Sequence, residues 1–198
     1  MNVSCQQDDA YVDDLCARVR RFVDEVAIPA ESPAIARDVA ALDRSVAQLH
    51  ERARQAGLFA PQLPPEWGGM GLGWRALARV LEEAGRGFLG PAALHCAAPD
   101  QPNMLTLLKL GTPEQQQRFL TPLARGSQRA CFAMTEPAPG AGSDPSMLQT
   151  HAAKRGAGWV LNGHKQFISG GVAAAAEMGG LALAGLGGPQ RHAHPGRS

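Results

Sequence analysis

Glu136 is the first residue to weigh for chemistry, since a carboxylate in the run Thr135-Glu136-Pro137 could serve as a general base. The proline that follows puts it in a turn, and a carboxylate there more often has a structural task. A structural role is expected. His192 and His194 lie two residues apart and could ligate a metal, but no further ligands accompany them and no metal site is expected. The four cysteines, Cys5, Cys16, Cys96 and Cys131, form no CxxC pair, so free thiols are expected rather than a zinc site or a disulfide framework. Taken alone, Phe132, Met134, Phe167 and Ile168 read as alternating core residues of a sheet, and Thr135 and Ser169 as ordinary strand hydroxyls.

Those residues need elements to carry them. Val12, Leu15, Val19, Phe22, Val23 and Val26 recur at helical spacing, and Pro29 and Pro33 end the pattern. Val39, Leu42, Val46, Leu49 and Ala53 predict a second helix that stops at Gly57. The stretch from Leu63 to Gly73, rich in proline and glycine, is turn-forming, with Trp67 as its packing anchor. A third helix is predicted from Trp74 to about Arg86. Another covers Met104 to Leu110 and ends at Gly111. Thr112-Pro113-Glu114-Gln115 has the form of a capping box with proline at the first helical position.

Near residue 129 the period changes. Residues 130–135 read as a buried strand, and 147–153, 159–161 and 166–168 as short strands separated by glycine turns, notably Asn162-Gly163. His151, Lys154 and Arg155 mark a solvated hairpin. From Val172 to Ser198 there is no aromatic residue, and alanine, glycine and proline dominate, so no sheet face is expected there.

Nineteen basic against eighteen acidic residues leave a net charge of +1, which makes no case for nucleic acid or an anionic membrane surface. The 44% hydrophobic and 19% charged residues fit a soluble globular protein. No apolar run approaches the roughly 18 to 20 residues that cross a bilayer. The first residues lack a signal peptide's pattern, so a cytoplasmic location is expected.

Five blocks, in order, carry a resemblance. They are Gly57-Leu58-Phe59, the run from Pro65 to Gly71, the run from Gly111 to Gln116, the run from Cys131 to Pro137 with Gly140 to Asp144, and the run from Leu161 to Gly170. Together they resemble the flavin-dependent acyl-CoA dehydrogenases over most of residues 10 to 171. The resemblance implies an α+β chain: an all-helical N-terminal domain (8–127), a truncated β-barrel-like middle domain with flavin-binding strands (128–171), and a low-complexity tail (172–198), disordered or frameshifted.

It also implies FAD. Phe132, Met134 and Thr135 would lie along the flavin, with the Thr135 hydroxyl near the pyrimidine edge. Phe167 would cover the ring face, Ile168 would be a further cofactor contact, and Ser169 would bring a hydroxyl near N5. The loop from Gly140 to Ser143 suits the cofactor pyrophosphate through backbone N–H groups and a hydroxyl. Gly142 and Ser143 are its expected contacts, and Ser143 also approaches the pantetheine arm of the substrate. Ala138-Pro139 reads as a two-residue insertion against the commoner pattern.

The reaction implied removes the α-proton and β-hydride of an acyl-CoA thioester and leaves a trans-2-enoyl-CoA, electrons passing to an electron-transfer flavoprotein. The base in this family is a glutamate of a C-terminal helical domain, so no catalytic base is expected here. A frameshift or gene truncation near Gly170 or Gly171 is expected, together with weak FAD binding and negligible turnover. A homo-oligomer is expected of the full-length form. Two other readings stand beside this one: a non-catalytic helical interaction module with a vestigial flavin fold, and an acyl-CoA oxidase or flavin monooxygenase.

Overall fold

The computed structural model describes residues 8–32, 39–140, 142–171 and 181–184. The chain divides into two compact units, Met1–Gln128 and Arg129–Ser198. The first is helical and the second is built on strands, which is the α+β order expected.

Helix α1 (Asp9–Phe22) begins where the Asp8 carboxylate accepts the Ala10 N–H at 3.1 Å, and buries Val12, Leu15, Cys16, Val19 and Phe22 along one stripe. It runs into a wide turn, Val23–Ala27, and a tight one, Ile28–Ala30, where Pro29 ends it. Helix α2 (Val39–Gln55) stops before Gly57, whose φ of 65° only glycine adopts without strain. Helix α3 (Trp74–Ala84) buries Ala76, Leu77, Val80 and Ala84 and packs on α1. Arg20–Glu83 and Arg79–Asp13 pair between the two, and Arg86–Asp24 pairs just beyond their C-terminal ends. Such exposed pairs fix orientation more than they stabilise.

The short α4 (Gly90–Ala93) leads to α5 (Asp100–Leu110), which carries Met104 and Leu107 inward. Thr112 and Gln115 form the expected capping box at the start of α6 (Pro113–Gln115), with the Gln115 N–H donating to Thr112 Oγ1 at 3.3 Å and the Thr112 N–H to Gln115 Oε1 at 2.9 Å. A wide turn, Gln116–Leu120, then joins α6 to α7 (Thr121–Ala124). No helix among the described residues is long and apolar enough to cross a membrane.

In the second unit, β1 (Ala130–Ala133) precedes a hairpin of β2 (His151–Arg155) and β3 (Gly158–Asn162), paired antiparallel with Arg155 opposite Gly158. His151, Lys154 and Arg155 are exposed, as expected for a solvated hairpin. Three strand assignments from the sequence need correction. The strand expected at 147–153 starts only at His151, because Asp144 accepts the Ser146 N–H at 2.9 Å and its hydroxyl at 2.7 Å, capping a tight turn over Pro145–Met147. The turn expected at Asn162-Gly163 leads to no further strand, since β3 runs to Asn162 and none forms at 166–168; the β2–β3 turn is Gly156-Ala157. Residues 166–168 form no strand, since Phe167 has φ 56° and breaks the extended run.

Of the tail, the structure describes Leu181–Ala184 as a strand, β4, parallel to β1 with Ala130 opposite Leu181. This was not expected from composition. His192 and His194 lie outside the described residues.

Candidate functional site

The second unit gathers the residues singled out for chemistry. β1 sends Cys131 inward and leaves Phe132 48% exposed, and the chain continues through half-buried Met134 and Thr135 to Glu136. After the hairpin, the chain returns so that the Gln166 N–H donates to the Thr135 carbonyl at 3.0 Å. One residue earlier, Lys165 Nζ donates to the Met134 carbonyl at 3.0 Å. The two blocks are side by side. Phe167 follows with 87% of its surface exposed, then half-buried Ile168 and exposed Ser169.

Phe167 and Phe132 are therefore not the closed sheet core that their types alone suggest. A bulky residue at φ 56° sits in the sparsely populated left-handed region. The aromatic ring it carries is presented to solvent.

Glu136 is firmly anchored. It is 2% exposed. Oε1 accepts the Thr150 N–H at 2.9 Å, the Thr150 hydroxyl at 2.5 Å and Lys165 Nζ at 2.9 Å, and Oε2 accepts the Gln149 N–H at 2.7 Å. The Thr150 hydroxyl, the Gln149 amide and the Lys165 ammonium together hold its carboxyl far below the usual carboxylate range. A carboxylate so occupied is a poor proton acceptor, in line with the structural role expected.

The loop that follows folds back on this anchor. The Glu136 N–H donates to the Gly142 carbonyl at 3.1 Å, and Gly142 has φ 54°. The Gly140 N–H is spent on Pro137 O at 2.7 Å, and a Cβ on Gly140 would lie 2.8 Å from Glu136 Cβ and Oε2. Gly140 is thus required by packing and does not offer its amide outward. Gly142 and exposed Ser143 remain the anion-facing candidates; Ala141 lies outside the described residues. The Asp144 carboxyl is held below its ordinary range by the Ser146 hydroxyl and amide.

Two features were missed by sequence reasoning. Thr150 and Lys165 complete the Glu136 anchor, although nothing but the basic residue inside the Leu161–Gly170 block hinted at it. In the helical unit, His50, Phe59 and His95 pack ring on ring, with Phe59 and His95 stacked at 5.1 Å. His50 Nε2 lies 2.9 Å from Ala92 O and His95 Nε2 2.7 Å from Leu123 O, so this buried group ties α2, α4 and α7 together. Among the described residues no group of His, Cys, Asp or Glu could hold a metal. Cys16, Cys96 and Cys131 are buried free thiols, and burial pushes Cys96 up to about 12.

Comparison with known proteins identifies the two domains. The family model described as "Acyl-CoA dehydrogenase, N-terminal domain" matches residues 12–127, and "Acyl-CoA dehydrogenase, middle domain" matches residues 131–192. The 3-(aryl)acrylate reductase of Clostridium sporogenes is 37% identical over 123 residues, covering 62% of this chain and 32% of that protein. The human mitochondrial short-chain specific acyl-CoA dehydrogenase is 38% identical over 113 residues, covering 57% of this chain and 27% of that protein. The chain thus spans about a third or less of the length of these curated relatives.

Among solved structures, a putative acyl-CoA dehydrogenase from Mycobacterium abscessus superposes with a TM-score of 0.73 at 34% identity, over 82% of this chain and 43% of that one. An acyl-CoA dehydrogenase from Bacillus anthracis, solved in complex with FAD, gives 0.62 at 28% identity, over 83% and 28%. With two domain models matched in order across both units, the chain belongs to the acyl-CoA dehydrogenase family.

Proposed function

We propose that this chain holds FAD with the second unit, in the service of α,β-dehydrogenation of an acyl-CoA thioester to its trans-2-enoyl-CoA. Phe132, Met134 and Thr135 would lie along the isoalloxazine system, Phe167 and Ile168 against a face, and Ser169 near the redox-active edge. Gly142 and Ser143 would meet the phosphates, and Ser143 would also approach the pantetheine arm of the acyl-CoA. Bound FAD supplies the acceptor for the hydride.

The observation that carries this reading is the Gln166–Thr135 hydrogen bond at 3.0 Å, because it sets the two blocks together while leaving Phe167 in the open. The residues fit the group. A flavin offers flat aromatic faces and a polar rim, and the chain offers an exposed ring two residues from the Ser169 hydroxyl, on a segment bonded to the one that carries Thr135. The relatives named acyl-CoA dehydrogenases, and the neighbour solved with FAD, support the same assignment.

An α-proton of a thioester needs a carboxylate base in a dry pocket and donors on the developing enolate oxygen. Glu136 does not supply that base, being fully engaged. The resemblance puts the base in a C-terminal helical domain, distinct from the two domains matched here. We therefore expect residues 1–198 by themselves to bind FAD weakly and saturably and to turn over acyl-CoA negligibly. Electron transfer to an electron-transfer flavoprotein, homo-oligomer assembly and a cytoplasmic location belong to the same proposal.

Equilibrium dialysis of the chain against FAD, FMN and ADP tests it. Saturable uptake of FAD, tighter than FMN or ADP, is expected. No uptake of any flavin, or brisk dehydrogenation by residues 1–198, contradicts it.

A further inference from the structure

Lys165 is not among the residues assigned to flavin, yet it joins the two segments that carry them. Its side chain is 14% exposed, and the ammonium lies 3.0 Å from the Met134 carbonyl and 2.9 Å from Glu136 Oε1. The next residue, Gln166, donates its N–H to the next carbonyl, Thr135. Two consecutive residues of one block thus grip two consecutive carbonyls of the other. Glu136 is in turn fixed by the amides of Gln149 and Thr150, just ahead of β2. Phe167 stands immediately beyond this grip at φ 56°, a conformation that persists only where neighbours over-determine it.

We propose that Lys165 is a positioning residue for the flavin, working through its ion pair with Glu136 and its bond to Met134. The pair sets the distance between the 132–135 and 165–169 segments, and with it the place of the Phe167 ring and the Ser169 hydroxyl. The proposal rests on the flavin reading above and adds to it a residue that meets no cofactor. A methionine at 165 would keep the apolar stem but leave a buried carboxylate and a carbonyl without their cation. An arginine would keep the charge.

The test uses the full 198-residue chain as Lys165→Met and Lys165→Arg, with Ala152→Gly in β2 as a control that loosens the unit elsewhere. FAD affinity is read by flavin fluorescence titration, cofactor orientation by visible circular dichroism, and the grip itself by hydrogen exchange at the Gln166 N–H. Lys165→Met is expected to weaken FAD about tenfold, the scale of one lost charge-assisted hydrogen bond. It should also alter the flavin dichroism and speed exchange at Gln166. Lys165→Arg should recover most of each signal, and Ala152→Gly should leave affinity and dichroism unchanged.

Unchanged affinity and dichroism in a folded Lys165→Met, or equal losses in Ala152→Gly, overturns the proposal while leaving the flavin reading in place. Should Lys165→Met fail to fold, Glu136→Gln removes the ionic attraction with little change of shape and carries the same expectation. Absence of FAD uptake by the unsubstituted chain refutes the flavin reading, and this proposal with it.

Discussion

Gln166 donates its N–H to the carbonyl of Thr135 at 3.0 Å, so two segments separated by the whole β2–β3 hairpin lie edge to edge. The bond has no sheet around it: residues 166–168 are not a strand, and Phe167 turns out of the extended region directly after it. What the two segments share is a set of side chains held near the surface, and the predictions below follow from how they are held.

Phe167→Gly separates strain from function. The left-handed backbone costs a bulky residue about 1–3 kcal/mol that glycine does not incur. The ring is 87% exposed and contributes little burial. The variant should unfold at the same temperature as the parent or higher, yet bind FAD more weakly. Thermal unfolding and FAD titration on the same sample check both halves.

Gly163→Ala tests the packing behind the site. A Cβ there would stand 2.1 Å from Thr150 Oγ1 and 2.6 Å from Thr150 Cβ, against the hydroxyl that holds Glu136. Overpacking of this kind costs about 1–3 kcal/mol. Gly158→Ala, whose Cβ would find only Arg155 O at 3.9 Å, is the control and should shift stability by no more than about 0.5 kcal/mol. Urea denaturation of both variants decides it.

The sign of the pH dependence follows from Glu136. The Thr150 hydroxyl, the Gln149 amide and Lys165 depress its pKa in the folded chain below the ordinary 4.5. A depressed carboxyl stabilises the fold at pH above its unfolded value, and that contribution is lost as pH falls below 4.5 toward the folded value. Glu136→Gln should therefore lower the melting temperature at pH 7 and flatten its decline under acid. Melting curves between pH 7 and pH 3 give the comparison.

In the helical unit, Thr112→Ala removes the side chain that caps α6 and should cost about 1 kcal/mol. Guanidinium unfolding followed by far-ultraviolet dichroism measures it.

The longer helices were legible because they announce themselves locally, whereas the short α4 (Gly90–Ala93) carries no such signal. Val12, Leu15, Val19 and Phe22 repeat at helical spacing, and Thr112 to Gln115 spell a cap without help from the rest of the chain. The site was legible only as blocks, since the resemblance marked Thr135 and Phe167 but not how they meet. Positive φ at Phe167 leaves no trace in residue type, so a strand was expected where the backbone turns.

The Glu136 anchor depends on Thr150 and Lys165, which come together only after the hairpin closes. Leu181-Ala182-Leu183-Ala184 alternates with the period of a strand, but the surrounding alanine and glycine hid it. The His50–Phe59–His95 group escaped notice for the same reason as the anchor: its members are distant in sequence and carry no spacing signal.

The central claim is that the segments around Thr135 and Phe167 face one isoalloxazine ring. Titrating FAD into isotope-labelled chain and following backbone amide shifts tests it most directly. The account predicts that amides of 132–135 and 166–169 shift together along one saturable curve, carried by the ring current of the flavin, while those at the Gly156-Ala157 turn stay in place. Shifts confined to one segment, or lying wholly outside both, would contradict it.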